Sequence, residues 1–363
     1  MKFSRFYRSA AIASVAAIAL AACSSDDGGG DADANGGGEE VSASGNLIGG
    51  GASSQEAAMT AWTSGITEAN PDLTVQYDPV GSGAGREGFI EGQYTFAGSD
   101  AAMDTEEQEQ ACGSGNPFHV PSYISPIAVA FNLEGVDTLN MNPETIAKVF
   151  AGEITSWDDE EIAEQNPDAD LPATDITVVH RSDESGTTEN FTDYLSGAAS
   201  DAWEWEAAEE FPGELTGESA QQTSGVVSLT SDTDGAITYA DASQIGDLAT
   251  VAVGVGEDYV EYSAEAAASA VESAEEDPEA EGARILDRST DAEGAYPIVM
   301  ISYHIFCDSY EDEGMVDQVK AFGNYVISEA GQAAAEESAG SAPISDTIRD
   351  EATERIEEIS FAG

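Results

Sequence analysis

A run of β-branched residues, Ile176-Thr177-Val178-Val179, gives way to His180-Arg181-Ser182-Asp183-Glu184-Ser185-Gly186-Thr187 and then to Thr188-Glu189-Asn190-Phe191-Thr192-Asp193-Tyr194-Leu195. The pattern predicts a buried strand, a short polar loop and a helix. Ser185, Gly186 and Thr187 fall where the helix begins, so their N–H groups are among those a helix leaves unsatisfied. The helix dipole adds partial positive charge there. With Arg181 close behind the strand, the loop makes a pocket suited to an oxyanion. The plainer alternative is that Ser185 or Thr187 caps the helix and Arg181 lies on the surface.

The chain begins with a segment that does not belong to the fold. Lys2, Arg5 and Arg8 precede an apolar run over residues 10–20, too short to span a membrane comfortably as a mature helix. It ends in Leu20-Ala21-Ala22-Cys23, which resembles a bacterial lipobox; the alternative is an ordinary signal peptide with a coincidental cysteine. Residues 1–22 are therefore expected to be a lipoprotein signal peptide, with lipidated Cys23 starting a flexible linker over residues 23–44. That linker is Gly, Ala, Asp and Glu with almost nothing apolar to bury. The expectation is an exported protein anchored to the membrane but not spanning it.

About 320 residues follow the linker, and 41% of the chain is hydrophobic, enough to build cores for two domains. The formal charge is −60, with 71 acidic residues against 11 basic. Such a surface repels nucleic acid and anionic membranes, and excludes nucleic-acid binding as a function. It also repels an anionic ligand at long range. An anion site here must win locally, through buried donors in a low dielectric. Apart from Cys23, Cys112 and Cys307 remain; in an exported chain they suggest one disulfide, with two free thiols as the alternative.

The strand–loop–helix device recurs. Gly45-Asn46-Leu47-Ile48 runs into Gly49-Gly50-Gly51-Ala52-Ser53-Ser54 and a helix over residues 55–69, stopped by Asn70-Pro71. The alternating Leu73-Thr74-Val75-Gln76-Tyr77 leads into Gly81-Ser82-Gly83-Ala84-Gly85 and another helix. Tyr94-Thr95-Phe96-Ala97-Gly98-Ser99 ends at Asp100. The stretch Gly83-Ala84-Gly85-Arg86-Glu87-Gly88 fits a dinucleotide-binding pattern, but its flanks do not read as a Rossmann unit. Glycines let the backbone approach a ligand, and hydroxyls donate without adding charge. Four such loops read as a cage.

These loops, in this order, resemble those of the phosphate-binding proteins of bacterial phosphate ABC transporters. So does Val149-Phe150-Ala151-Gly152-Glu153-Ile154-Thr155-Ser156-Trp157-Asp158-Asp159, and the resemblance covers essentially the whole mature domain. It implies an α/β, two-lobed periplasmic-binding-protein fold of type II, with the ligand in the interlobe cleft and two crossover segments. It implies a binding protein, not an enzyme, without cofactor or metal, that hands phosphate to a membrane permease driven by an ATPase. Carried onto this sequence, the ligand-binding residues are Ser53, Ser54, Ser82, Asp100, Arg181, Ser185, Gly186 and Thr187, with Asp183 supporting Arg181. Asp100 carries the discrimination: a carboxylate facing an anion is repulsive unless the ligand brings a proton, as hydrogen phosphate does and sulfate at neutral pH does not.

The intervening chain divides into lobe I, residues 45–123 plus 299–363, and lobe II, residues 124–298. Crossings are expected near residues 123–126 and 296–301, which would place Cys307 in the same lobe as Cys112. Residues 264–283, acidic and alanine-rich, are expected to form a solvated helix interrupted at Pro278. His119, His180 and His304 lack metal-ligand spacing. A hydrolase using His180, Asp183 and Ser185 is disfavoured because three residues of one short loop do not easily adopt a triad's geometry. Other readings are a binding protein for another tetrahedral oxyanion such as sulfate or arsenate, a phosphatase using Ser185, and a surface phosphate sensor.

Overall fold

The computed structural model describes residues 43–113 and 115–363; the expected signal peptide, Cys23 and nearly all of the linker lie outside them. The chain opens with β1 (Gly45–Gly51), a 3-10 turn (Ser53–Gln55), α1 (Glu56–Ala69), β2 (Leu73–Asp78), α2 (Ser82–Ile90), β3 (Phe96–Ser99) and α3 (Thr105–Gln110). The strand β4 (Pro117–Phe131) leads on to β5 (Thr138–Met141), α4 (Pro143–Phe150), α5 (Glu160–Gln165), β6 (Thr177–Arg181) and α6 (Gly186–Ala198). Next come β7 (Glu218–Ala220), α7 (Gln222–Asp232), β8 (Ala236–Asp241), β9 (Ala249–Val255) and β10 (Asp258–Val260). The return runs through α8 (Ala264–Val271), β11 (Glu275–Glu276), β12 (Arg284–Ile285), β13 (Val299–Cys307), β14 (Ser309–Tyr310), α9 (Glu313–Ile327), α10 (Glu329–Ala339), α11 (Asp346–Glu358) and β15 (Ser360–Phe361).

One curled sheet follows the order β2-β1-β3-β13-β4-β8-β6-β7, with β9 joining β4 to β5 and β10. Two of the larger cores lie one in each half of the sheet. Trp62, Ile66, Phe96, Phe306 and Phe322 gather the first and last parts of the chain. Phe131, Phe150, Trp157, Phe191 and Tyr239 gather the middle. The parallel β1–β2 and β1–β3 pairs place the loops after all three strands at one end of the first half. The parallel β6–β8 pair does the same for the loop after β6 in the second. Ligands of open α/β sheets bind at such strand ends.

The long β4 passes through both halves. Residues 117–126 pair with β13, and Ile127 onward pairs with β8. The crossing expected near residues 123–126 falls inside this one continuous strand, with Pro121 and Pro126 both within it. Pro121 stands beside a register shift at Ser302–Tyr303, and Pro126 stands where β4 changes partners. At both points the missing N–H does not interrupt a regular ladder.

The alanine-rich segment also departs from expectation. The helix α8 stops at Val271, and Ala267, Ala270 and Val271 are buried with Ile124, Ile301 and Ile305 against the sheet. The small side chains let this helix pack closely, and a short β11–β12 hairpin follows where an interrupted helix was expected. Cys112 and Cys307 form a disulfide, 195 residues apart in sequence, that encloses the whole middle of the chain. A loop of that size corresponds to a stabilisation of about 5 kcal/mol in the chain-entropy description.

Candidate functional site

Asp100 follows β3 and is only 3% exposed. Its Oδ2 accepts the Ser54 hydroxyl at 2.6 Å and the Thr187 hydroxyl at 3.1 Å, while Oδ1 accepts the Ser302 hydroxyl at 2.6 Å. Its backbone N–H donates to Ser82 Oγ at 3.3 Å. Burial pushes the Asp100 carboxyl above the usual range; the hydroxyls of Ser302, Ser54 and Thr187 and the charge of Arg181 pull the other way.

Four helix starts converge on this group. The turn at Ser53 precedes α1, Ser82 opens α2, Gly186 opens α6 and Gln222 opens α7. The Thr223 N–H donates to Ser53 Oγ at 3.0 Å, tying the first start to the last across the cleft. Gln244 Nε2 crosses it as well, donating to the carbonyls of Ser53 at 2.8 Å and Ser54 at 3.1 Å. These helix starts carry positive dipole ends, and the first two N–H groups of α7 are already bonded, to Asp183 Oδ1 and Ser53 Oγ. Gly186 is required there: a Cβ at this position would lie 2.8 Å from the Ala101 nitrogen and the Asp100 carbonyl carbon. Asn190, one turn further along α6, donates to Asp100 O at 2.7 Å and to Gly186 O at 2.8 Å.

Arg181 ends β6 and is 4% exposed, not the surface residue of the plainer alternative. Asp183 accepts from its Nε at 2.7 Å and its Nη2 at 2.5 Å, leaving Nη1 to face elsewhere. The same carboxylate accepts the Gln222 N–H at 3.1 Å, so Asp183 fixes both the arginine and the start of α7. Ser185 caps α6, accepting the Thr188 N–H at 3.3 Å.

Ser53, Ser54, Ser82, Asp100, Arg181, Ser185, Gly186 and Thr187 are all buried, and Ser54, Ser82 and Thr187 meet at Asp100. Sequence reasoning missed Thr223, Ser302, Gln244 and Asn190. Thr223 follows no glycine loop, and Ser302 lies inside an apolar strand whose neighbours announce only a core. Asn190 alone was signalled, being four residues past Gly186 on the same helix face.

The geometry also bears on the hydrolase reading. His180 stacks on Phe211 at 4.5 Å, its Nδ1 lies 2.9 Å from the Arg181 carbonyl, and Ser185 Oγ is occupied by the cap. A base held between nucleophile and carboxylate is not formed. Among the described residues no cluster of three or more His, Cys, Asp or Glu is placed to hold a metal ion.

Fold and site together define a class: a two-lobed α/β binding protein with a cage of hydroxyls and helix N-termini between its lobes. Residues 37–330 match the family model described as a PBP superfamily domain. The phosphate-binding protein PstS 2 of Mycobacterium tuberculosis is 35% identical over 289 residues, covering 74% of this chain and 75% of its own. PstS3 of Mycobacterium bovis is 36% identical over 287 residues, with the same coverage. The chain belongs to the PBP superfamily, in the PstS family of phosphate-binding proteins. Among solved structures, a periplasmic phosphate-binding protein, PfluDING, superposes with a TM-score of 0.69 at 22% identity, covering 84% of this chain and 92% of that one. The phosphate-binding protein of Stenotrophomonas maltophilia gives 0.67 at 19% identity, covering 85% and 93%. The fold is the type II periplasmic-binding fold.

Proposed function

We propose that this chain captures inorganic phosphate between its lobes and delivers it to a membrane permease powered by an ATPase. The observation that carries the reading is a buried acceptor, Asp100, beside a buried cation, Arg181, in a ring of hydroxyl and N–H donors. Arg181 Nη1 meets the anion's charge while Asp183 holds the guanidinium in place. Ser53, Ser54 and Ser82 donate from the first lobe; Ser185, Gly186 and Thr187 donate from the start of α6. Asp100 accepts a hydrogen bond from the O–H of hydrogen phosphate and has none to accept from sulfate. The chain acts by binding and release, not by turnover.

In this reading residues 1–22 direct export, Cys23 carries the lipid anchor, and residues 23–44 tether the domain outside the cytoplasm. The Cys112–Cys307 disulfide suits an oxidising compartment, and among the described residues no helix is long and apolar enough to cross a membrane. The test is calorimetry on the domain without Cys23, stripped of carried-over phosphate. One-to-one phosphate binding without a sulfate response supports the reading. Equal binding of both anions removes the role of Asp100, and binding of neither removes the function. Loss of phosphate uptake on deletion, restored by the wild-type chain and not by Asp100→Asn, tests delivery.

A further inference from the structure

Behind Asp100 lies a chain of hydrogen bonds with a fixed direction. Gln55 is fully buried, and its Nε2 donates both to the Tyr303 carbonyl at 2.9 Å and to Ser302 Oγ at 2.8 Å. The amide cannot be turned round, because its oxygen would then face the Tyr303 carbonyl oxygen, acceptor against acceptor. The other side of the amide makes no hydrogen bond. Oε1 points at Gly98, where a Cβ would lie 2.4 Å away, so only glycine leaves room for it. With Gln55 donating to its oxygen, Ser302 spends its single proton outward, on Asp100 Oδ1 at 2.6 Å.

Two features of the fold hold the relay. Ser302 and Tyr303 flank the register shift in the β4–β13 pair, and bulges of this kind re-aim side chains beside functional sites. Gln55 closes the turn that carries Ser53 and Ser54, so one segment supplies both cage donors and the support behind the acceptor.

We propose that Gln55 and Ser302 are positioning residues that hold Asp100 Oδ1 as an acceptor, keeping the carboxylate unprotonated so that Oδ2 accepts a hydrogen bond from the protonated oxygen of the bound oxyanion. This rests on the phosphate reading above and deepens it: anion selectivity is set by the direction of a relay anchored on a backbone carbonyl, as well as by Asp100 itself. Oδ2 is the oxygen free to exchange partners, since one of its two bonds is the longer one to Thr187 across the cleft. Removing the Ser302 hydroxyl takes a donor from the ionised carboxylate and favours its protonated form. The other charged or titratable groups facing Asp100 are Arg181, Asp241, Tyr77 and Tyr123, and all of them stay in place in the variants below.

The test has two readouts on wild type, Ser302→Ala, Ser302→Thr and Gln55→Met. The first is the carboxyl NMR titration of Asp100 without anion, assigned with Asp100→Asn. The second is calorimetry of phosphate and sulfate from pH 5 to 9. The relay predicts that Asp100 titrates about one pH unit higher in Ser302→Ala, with the acid loss of phosphate binding moving by the same amount. The preference for phosphate over sulfate should fall about tenfold; Ser302→Thr restores both, and Gln55→Met lies between. Asp100 titrating as in wild type in both Ser302→Ala and Gln55→Met would overturn the relay. Gln55→Met decides alone if Ser302→Ala does not fold. An Asp100 shift in Ser302→Ala, together with a wild-type protein that binds no phosphate, would overturn the function and leave the relay standing.

Discussion

Arg86 and Glu209 meet across the cleft as a two-pronged ion pair, Nη1 to Oε1 at 2.8 Å and Nη2 to Oε2 at 2.6 Å. Arg86 lies on α2 in the first half of the sheet, and Glu209 lies between α6 and β7 in the second. Burial alone would lower the Arg86 pKa, but the carboxylates of Glu209 and Glu107 outweigh it and push it up. The Glu209 carbonyl accepts the Ser185 N–H at 3.1 Å, so the clasp adjoins the cage. Glu209→Gln removes a clasp that exists only when the lobes are together, and Arg86 keeps Glu107 as a partner. Phosphate should bind about tenfold more weakly, below the full cost of truncating a desolvated pair because that partner remains. Small-angle scattering of the anion-free variant should show a larger radius of gyration; an unchanged radius and affinity would make the pair incidental.

Arg181→Ala should act on the site itself. It removes the buried cation and leaves Asp183 unpaired, for a loss of about 2–4 kcal/mol in phosphate binding. Scattering without phosphate should match wild type, separating this variant from Glu209→Gln. Arg181→Lys should not rescue it, because an ammonium cannot hold Asp183 with a fork and still present a second edge. An unchanged calorimetric binding constant in Arg181→Ala would take Arg181 out of the site.

Glu189, on the first turn of α6, carries a pKa raised to about 7, by burial first and then by the negative field of Glu209. A carboxyl whose folded pKa lies above its unfolded value binds its proton more tightly when folded. Its contribution is favourable at acid pH and is lost as pH rises from about 4.5 towards 7. Glu189→Gln should therefore flatten the fall in stability across that window. At pH 8 it should raise stability by about 1–2 kcal/mol, a few degrees of melting temperature. A larger gain at pH 5 than at pH 8 would contradict the sign.

Salt should strengthen the fold and speed capture. Among the described residues all eight Lys and Arg side chains are in ion pairs: Arg86, Lys148, Arg181, Arg284, Arg288, Lys320, Arg349 and Arg355. The large excess of carboxylates is left to repel itself and any approaching anion. Melting temperature should rise between about 0.05 and 1 M salt, and the phosphate on-rate in stopped flow should rise several-fold as the Debye length contracts from about 14 to 3 Å. An on-rate that falls with salt would mean that a local positive funnel dominates the acidic envelope.

What the sequence made legible was local. Glycines and hydroxyls at strand ends mark Ser53, Ser82 and Gly186, because helix starts and close backbone approaches are properties of a few consecutive residues. What it hid depends on closure or on a register. Arg86 and Glu209 are 123 residues apart, and nothing in Gly85-Arg86-Glu87 distinguishes a clasp from a solvated charge. Ser302 reads as one polar residue in an apolar strand until the shift opposite it aims its hydroxyl at Asp100. The segment over residues 264–283 was misread for a related reason: alanine beside glutamate looks solvated, whereas Ala267 and Ala270 are small enough to lie flat on a sheet.

The two connections between the lobes are adjacent strands. Pro126 pairs with Val299, and the Ile127 N–H donates to the Ile298 carbonyl at 2.7 Å, so the ladder runs through the boundary itself. Two independent linkers could stretch, slip or swivel separately; a laced ribbon resists stretching and shear, and yields by twisting and bending. Opening and closing are thereby confined to something near a single rotation. If phosphate binds as proposed, a ligand a few ångströms across would set the angle between two whole lobes, and their rims would offer a mechanical readout of occupancy.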